Sequence, residues 1–143
     1  MVHSMFVWEF DMKRSFATIA AAFLLAAPAA AQDWAGTMAV TFATGSAAVA
    51  PEEAEKLDLI ARTFREGDFI VVEVAGIADT VGAPAGNLRL SSRRAEAVAD
   101  GLIARGLSPL QLQLVARGNG ELAVETDDEV AEARNRVAEI SWR

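Results

Sequence analysis

The sequence contains no cysteine, no tyrosine and a single histidine, His3. The absence of cysteine excludes disulfide bonds, thiolate nucleophiles and cysteine zinc ligands. The histidine lies ahead of the region that we predict to fold, so neither a Ser-His-Asp nor a Cys-His mechanism can be assembled there. A hydrolase that uses two carboxylates remains open. We expect no enzymatic activity, no cofactor and no metal site.

Basic residues are also scarce, with 13 lysines and arginines against 20 acidic residues and a net charge of −7. An acidic protein does not attract nucleic acid or anionic lipid, so we expect no nucleic-acid partner. Six carboxylates lie between Glu121 and Glu132, but without the spacing of a calcium loop. Because acids gather at helix N-termini, we interpret them as the solvated start of a short helix.

Only one long apolar run is present, and it lies near the N-terminus. Lys13 and Arg14 are followed by a mostly apolar run from Phe16 to Ala31, which ends in three alanines. A basic region, an apolar region and a small-residue cleavage site are typical of a secretory signal peptide. The run is short for a membrane span. The alternative is an uncleaved signal anchor.

We therefore predict two regions, of which residues 1–31 are an N-terminal extension and a cleaved signal peptide. Met12 is the predicted true start, since Glu9 and Asp11 are unusual ahead of a signal peptide. Residues 32–143 form the predicted exported domain. A lipoprotein anchor needs a cysteine just after the signal, so we expect no membrane anchor in the mature chain.

Within residues 32–143, helical and strand periods alternate along the chain. Strands are predicted at Met38–Phe42, Phe69–Ala75, Leu110–Ala116 and Ala133–Trp142, and helices at Pro51–Gly67 and Leu90–Arg105. The second strand is expected at the centre of the sheet. This order predicts an α/β fold, an α+β two-layer sandwich with the order βαβαβ(α)β, one mixed sheet and helices on one face.

The candidate site lies between the second strand and the second helix, in residues 76–87, which are rich in glycine and other loop formers. This loop carries Asp79, and the first turn of the predicted helix carries Arg94, with Ser91 or Ser92 as its N-cap. An acid and a base held by a rigid loop can bind a zwitterion. Alternatively, Asp79 only orders its turn and Arg94 is a surface charge. Neither belongs to an apolar stripe, so we expect the fold to tolerate their replacement.

The same stretch resembles the signature of the OmpA C-terminal-like domain family, which includes OmpA, Pal and MotB. The family pattern is Gly-His-Thr-Asp-x-x-Gly followed by Asn-x-x-Leu-Ser-x-x-Arg-Ala. The matching residues are Gly76, Asp79, Gly82, Asn87, Leu90, Ser91, Arg94 and Ala95. The resemblance implies non-covalent binding of peptidoglycan in the periplasm of a Gram-negative cell envelope. It also implies that Asp79 and Arg94 hold the diaminopimelate of the stem peptide.

The resemblance extends over about residues 38–142 and adds further candidate ligand-binding residues, namely Phe42, Thr80, Gly82, Asn87 and Arg136. Phe42 could instead belong to the core, and we expect Asn87 to brace the loop.

The sequence departs from the family pattern at Ile77, Ala78 and Val137, where histidine, threonine and arginine are usual. These departures motivate an alternative, in which an OmpA-like scaffold with a weakened ligand site binds envelope proteins in the periplasm.

Overall fold

The computed structural model describes residues 36–143. The predicted extension and signal peptide lie outside the described residues. The elements are β1 (Gly36–Thr41), α1 (Pro51–Glu66), β2 (Val72–Ile77), α2 (Pro84–Ile103), β3 (Leu112–Gly118) and β4 (Val137–Trp142). Single turns of 3₁₀ helix at Pro109–Gln111 and Ala133–Asn135 precede β3 and β4. Among residues 36–143, no helix combines the length and hydropathy that crossing a membrane requires.

The four strands form one mixed sheet in the order β1-β4-β2-β3. The strands β2 and β3 are parallel, whereas β4 runs antiparallel to both of its neighbours, β1 and β2. Both helices share one core cluster with the inner face of the sheet. The predicted α/β fold, with a mixed sheet and helices on one face, is confirmed, and β2 is an internal strand as expected.

The core lies between the two helices and the sheet. It contains Leu57, Ile60, Ala61 and Phe64 from α1, Ala95, Val98 and Leu102 from α2, and Val40, Val72, Val74, Ala138, Ile140 and Trp142 from the strands. Each large aliphatic or aromatic side chain that is buried in this way contributes about 1.5–3 kcal/mol. The inward alternation along β4 and the apolar face of α1 match the sequence prediction.

The second helix begins at Pro84, six residues before the predicted start at Leu90. Proline suits the first helical position, because its fixed φ fits a helix and its missing N–H would have no partner there. The predicted serine N-cap is therefore wrong, and Ala83 holds that position without a side-chain hydrogen bond. Arg94 consequently lies about three turns into α2 rather than in its first turn.

A glycine allows α2 to pack closely against β2. A Cβ at Gly76 would lie 1.8 Å from the backbone oxygen of Ser91, so any other residue there would push the helix away. The Ser91 hydroxyl accepts a hydrogen bond from the N–H of Gly118 and donates one to the backbone oxygen of Leu88. These contacts fix α2 over the ends of β2 and β3.

The strands also differ from their predicted bounds, since β2 begins at Val72 and leaves Ile70 largely exposed, and β4 begins at Val137. The helix predicted in the acidic run is absent, and residues 121–132 form an irregular segment. Asn135 bonds both backbone groups of Val124, and Glu129 adopts a φ of 58°. Side-chain bonds to the backbone compete with helix formation, which explains the irregular path.

Candidate functional site

Asp79 follows the C-terminal end of β2, and its side chain is almost buried. One carboxylate oxygen accepts a hydrogen bond from Nη1 of Arg136 at 3.3 Å. A carboxylate offers about four acceptor positions, and this bond uses one of them. Asp79 therefore has acceptor capacity for a further donor such as an ammonium group.

Arg94 is fully buried, contrary to the expectation that the fold would tolerate its loss. Its Nε donates to the backbone oxygen of Ser46 at 2.9 Å, and Nη1 donates to that of Ile77 at 2.8 Å. Its Nη2 donates to the backbone oxygen of Ala43 at 3.3 Å. Arg94 thus ties the β1–α1 connection to the end of β2, and the alternative of a surface charge is wrong.

Phe42 lies beneath this guanidinium, with 5.3 Å between the Arg94 Cζ and the ring centroid. The phenyl ring belongs to the core cluster, as the core interpretation of Phe42 predicted. Burial lowers the pKa of Arg94 to about 10, partly offset by the negative charge of Asp79 and reinforced by the positive charge of Arg136. Arg94 remains protonated at neutral pH, so a positive charge stays beside Asp79.

Arg136 is the more accessible of the two arginines at the site, with 17% of its side chain exposed. Its Nε donates to the backbone oxygen of Phe42 at 3.4 Å, in addition to the contact with Asp79. A guanidinium carries five N–H donors, so three remain for a ligand. Asp79 therefore has an accessible guanidinium on one side and a buried one as a second positive charge.

Thr80 and Gly82 contact the acidic segment of residues 126–130, which we call the strap. The Thr80 hydroxyl donates to the backbone oxygen of Asp127 at 2.7 Å and accepts from the N–H of Val130 at 3.0 Å. The N–H of Gly82 contacts both carboxylate oxygens of Glu129 at 3.3 Å. Through these hydrogen bonds, Thr80 and Gly82 attach the loop that carries Asp79 to the strap.

Asn87 lies in the first turn of α2, where its Nδ2 donates a long hydrogen bond of 3.5 Å to the backbone oxygen of Gly82. The expectation that Asn87 braces the loop is confirmed.

Sequence analysis did not assign Glu129 to the site, because a carboxylate in an acidic run carries no local signal of a distant backbone partner. Within residues 36–143, no group of three or more potential ligands could hold a metal ion.

A family model described as the OmpA family matches residues 41–136 of this chain. The chain is 35% identical over 100 residues to the peptidoglycan-associated lipoprotein of Pseudomonas putida. The matched region covers 69% of this chain and 59% of that protein. It is 31% identical over 102 residues to the probable lipoprotein YiaD of Escherichia coli, and this match covers 71% of this chain and 47% of that protein. The chain thus spans about half the length of these curated relatives.

Among solved structures, the fold is similar to that of the peptidoglycan-associated lipoprotein from Burkholderia pseudomallei. The TM-score is 0.67 at 26% identity, over 73% of this chain and 89% of that one.

Proposed function

We propose that this chain, which belongs to the OmpA family, binds peptidoglycan non-covalently through the diaminopimelate of the stem peptide. The observation that carries the proposal is that Asp79 is in direct contact with Arg136 and within reach of the charge of Arg94. The names of relatives described as peptidoglycan-associated lipoproteins support the same ligand.

The free end of diaminopimelate carries an ammonium and a carboxylate on one carbon, so its binding site needs an acid and a base side by side. The carboxylate of Asp79 accepts hydrogen bonds from the ammonium, and the unused N–H groups of Arg136 donate to the ligand carboxylate in a forked contact. Arg94 supplies a second positive charge near Asp79, and two of its five N–H donors are not used by the backbone contacts. The resemblance implies that Asp79 and Arg94 hold the diaminopimelate, with Arg136 as a further candidate, whereas this proposal gives Arg136 the direct contact with the ligand carboxylate.

The site is proposed to bind and not to catalyse. One carboxylate and two guanidiniums recognise opposite charges, and an arginine side chain does not lose its proton to act as a general base. The relatives from Pseudomonas putida and Burkholderia pseudomallei are named for an association with peptidoglycan. We propose accordingly that the domain acts in the periplasm after export, with envelope proteins as further partners.

The alternative of a scaffold with a weakened site rests on Ile77, Ala78 and Val137. All three are buried, with exposed fractions of 0%, 0% and 4%. Their apolar side chains fit these interior positions, and Val137 begins β4 beneath the site. The departures from the family pattern therefore do not favour the interaction module over ligand binding.

Sedimentation of the purified exported protein with intact sacculi tests the proposal. Asp79→Asn keeps the shape of the side chain and removes its charge, so binding should weaken by about 2 kcal/mol or more. Asp128→Asn is the matched control, since Asp128 is exposed in the strap and should leave binding unchanged. Binding of Asp79→Asn at the strength of the parent would contradict the proposal.

A further inference from the structure

The carboxylates of Glu53 and Glu129 each accept a hydrogen bond from the backbone of a distant segment. Glu53 on α1 accepts from the N–H of Thr41 on β1 at 3.0 Å. Burial raises the pKa of Glu53, but the hydrogen bonds from Lys56 and Thr41 outweigh it, and the pKa is lowered overall. The Glu53 contact attaches a helix to a strand and therefore acts on stability. Glu129 lies in the strap and contacts the loop of the candidate site instead.

Glu129 contacts the loop between β2 and α2 at two points. Both of its carboxylate oxygens lie 3.3 Å from the nitrogen of Gly82, and its own N–H donates to the backbone oxygen of Thr80 at 3.1 Å. The oxygen of Gly82 accepts in turn from Nδ2 of Asn87. Gly82 has a φ of 88°, and glycine moves readily among many backbone conformations. The hydrogen bonds from Glu129 and Asn87 therefore select this one.

The backbone of Glu129 is itself unusual. Among residues 36–143, Glu129 is the one residue other than glycine with a positive φ, at 58°. A residue with a Cβ adopts this conformation at a cost in free energy, and such residues concentrate at functional sites. Glycine adopts the same conformation without that cost. A glycine at this position would thus suit the backbone of the strap while removing the carboxylate, which separates the two roles of the residue.

Asp79 lies between two residues whose backbone positions are fixed. Before it, the N–H of Ala78 donates to the backbone oxygen of Gly118 at 2.8 Å. After it, both the hydroxyl and the backbone oxygen of Thr80 are bonded to the strap. Further along the chain the strap leads to Arg136, which contacts the Asp79 carboxylate at 3.3 Å. The strap therefore connects the loop of Asp79 to the segment that carries its arginine partner.

We propose that Glu129 is a positioning residue for the ligand. Its carboxylate holds Gly82 so that Asp79 stays at the spacing from Arg136 that an ammonium and a carboxylate on one carbon require. This inference rests on the proposed function. Glu129 does not touch the ligand, but it reduces the freedom that the loop loses on binding. Preorganisation of this kind raises affinity without a new contact.

The effect of Glu129 should appear in binding rather than in unfolding. Its side chain is exposed, and its contact with Gly82 is long for a charged acceptor, so it contributes little to the stability of the domain. The hydroxyl of Thr80 keeps the loop attached to the strap when the carboxylate is removed. Loss of the carboxylate should therefore loosen the backbone at Gly82 and leave the rest of the fold in place.

Titration calorimetry with a diaminopimelate stem peptide, alongside urea unfolding, tests the inference on a protein of residues 32–143. Glu129→Gly removes the carboxylate and suits the positive φ, so affinity should fall about three- to tenfold while stability is equal or higher. Glu129→Gln keeps an oxygen that can accept from Gly82 and should bind within about twofold of the parent. Without any ligand, the Gly82 amide should exchange its hydrogen faster in Glu129→Gly than in the parent.

Asp128→Gly is the matched control, since it also removes an exposed carboxylate and adds a glycine to the strap. It should bind as the parent does, and an equal loss of affinity in this control would overturn the proposal. So would unchanged binding or unchanged Gly82 exchange in Glu129→Gly, or a Glu129→Gln variant as weak as the glycine variant. A parent protein that does not bind the peptide would refute the proposed function and this inference together, whereas a parent that binds no better than Glu129→Gly refutes the inference alone.

Discussion

Replacement of Arg94 by alanine should destabilise the fold itself, because this side chain ties the β1–α1 connection and the end of β2 to α2. The backbone oxygen of Ile77 is buried and loses its only side-chain donor, at a cost of about 1–3 kcal/mol. The backbone oxygens of Ser46 and Ala43 are partly accessible and can be rehydrated, so each loses about 0.5–1 kcal/mol. The cation–π contact with Phe42 adds about 0.5–2 kcal/mol.

Part of this loss is offset, because burial of the charge is itself unfavourable, as the lowered pKa of Arg94 shows. We therefore expect a net loss of about 2–4 kcal/mol in the free energy of unfolding. At roughly 4–8 °C per kcal/mol for a domain near this size, the melting temperature should fall by on the order of 10–25 °C. Arg94→Lys should lose less, since it keeps a charge and one of the contacts but lacks the planar fork.

Urea unfolding followed by circular dichroism, with the parent and both variants side by side, measures these differences. If Arg94→Ala unfolds within about 0.5 kcal/mol of the parent, the three carbonyl contacts contribute little and the account of Arg94 as a structural brace is refuted. Loss of sacculus binding by a destabilised Arg94→Ala cannot report on ligand contacts, and for this reason the binding experiments use Asp79.

Three further outcomes are expected. Glu53→Gln should lower the free energy of unfolding by about 1–2 kcal/mol at pH 7. Because the folded-state pKa of Glu53 is lowered, this difference is present above about pH 4.5 and should vanish as the pH falls through the folded-state value, in urea unfolding at several pH values. Gly76→Ala should destabilise by about 2 kcal/mol or more through its clash with Ser91, whereas a Cβ at Gly86 in α2 would meet only Arg89 Nη2, at 4.0 Å, so Gly86→Ala should stabilise by about 0.5–1 kcal/mol in thermal unfolding. Protein from a periplasmic extract should have the intact mass of a chain that starts at Gln32, and full-length protein in the membrane fraction would contradict export with cleavage.

The parts of the fold that could be predicted from sequence are those whose burial is periodic. Ala138, Ile140 and Trp142 alternate along β4, and one face of α1 repeats at helical spacing, because each buries a single side against the same core. The start of α2 was missed because Pro84 and Gly86 were interpreted as loop formers. Proline is also favoured in the first turn of a helix, and only the packing of α2 on β2 decides between a loop and a helix at these residues.

The residues of the candidate site were proposed from the sequence, but their contacts could not be predicted from it. The resemblance identified Asp79 and Arg94, but the partners of Arg94 lie 17 to 51 residues away and are backbone oxygens. Every residue has a backbone oxygen, so a sequence pattern cannot show which ones accept from a side chain. Because arginine is usually exposed, the burial of Arg94 could not be predicted from the neighbouring residues either. The strap was missed for the same reason, since Thr80 and Asp127 are 47 residues apart.

Titration calorimetry with two synthetic stem peptides tests the central claim most directly. One peptide carries diaminopimelate, and the other carries lysine, which lacks the carboxylate next to the distal ammonium. The account predicts that a protein of residues 32–143 binds the diaminopimelate peptide at least about tenfold more tightly, a difference of about 1.4 kcal/mol, and that Asp79→Asn loses this preference. Equal affinity of the parent protein for both peptides would contradict recognition of the zwitterion by Asp79 and its two arginines.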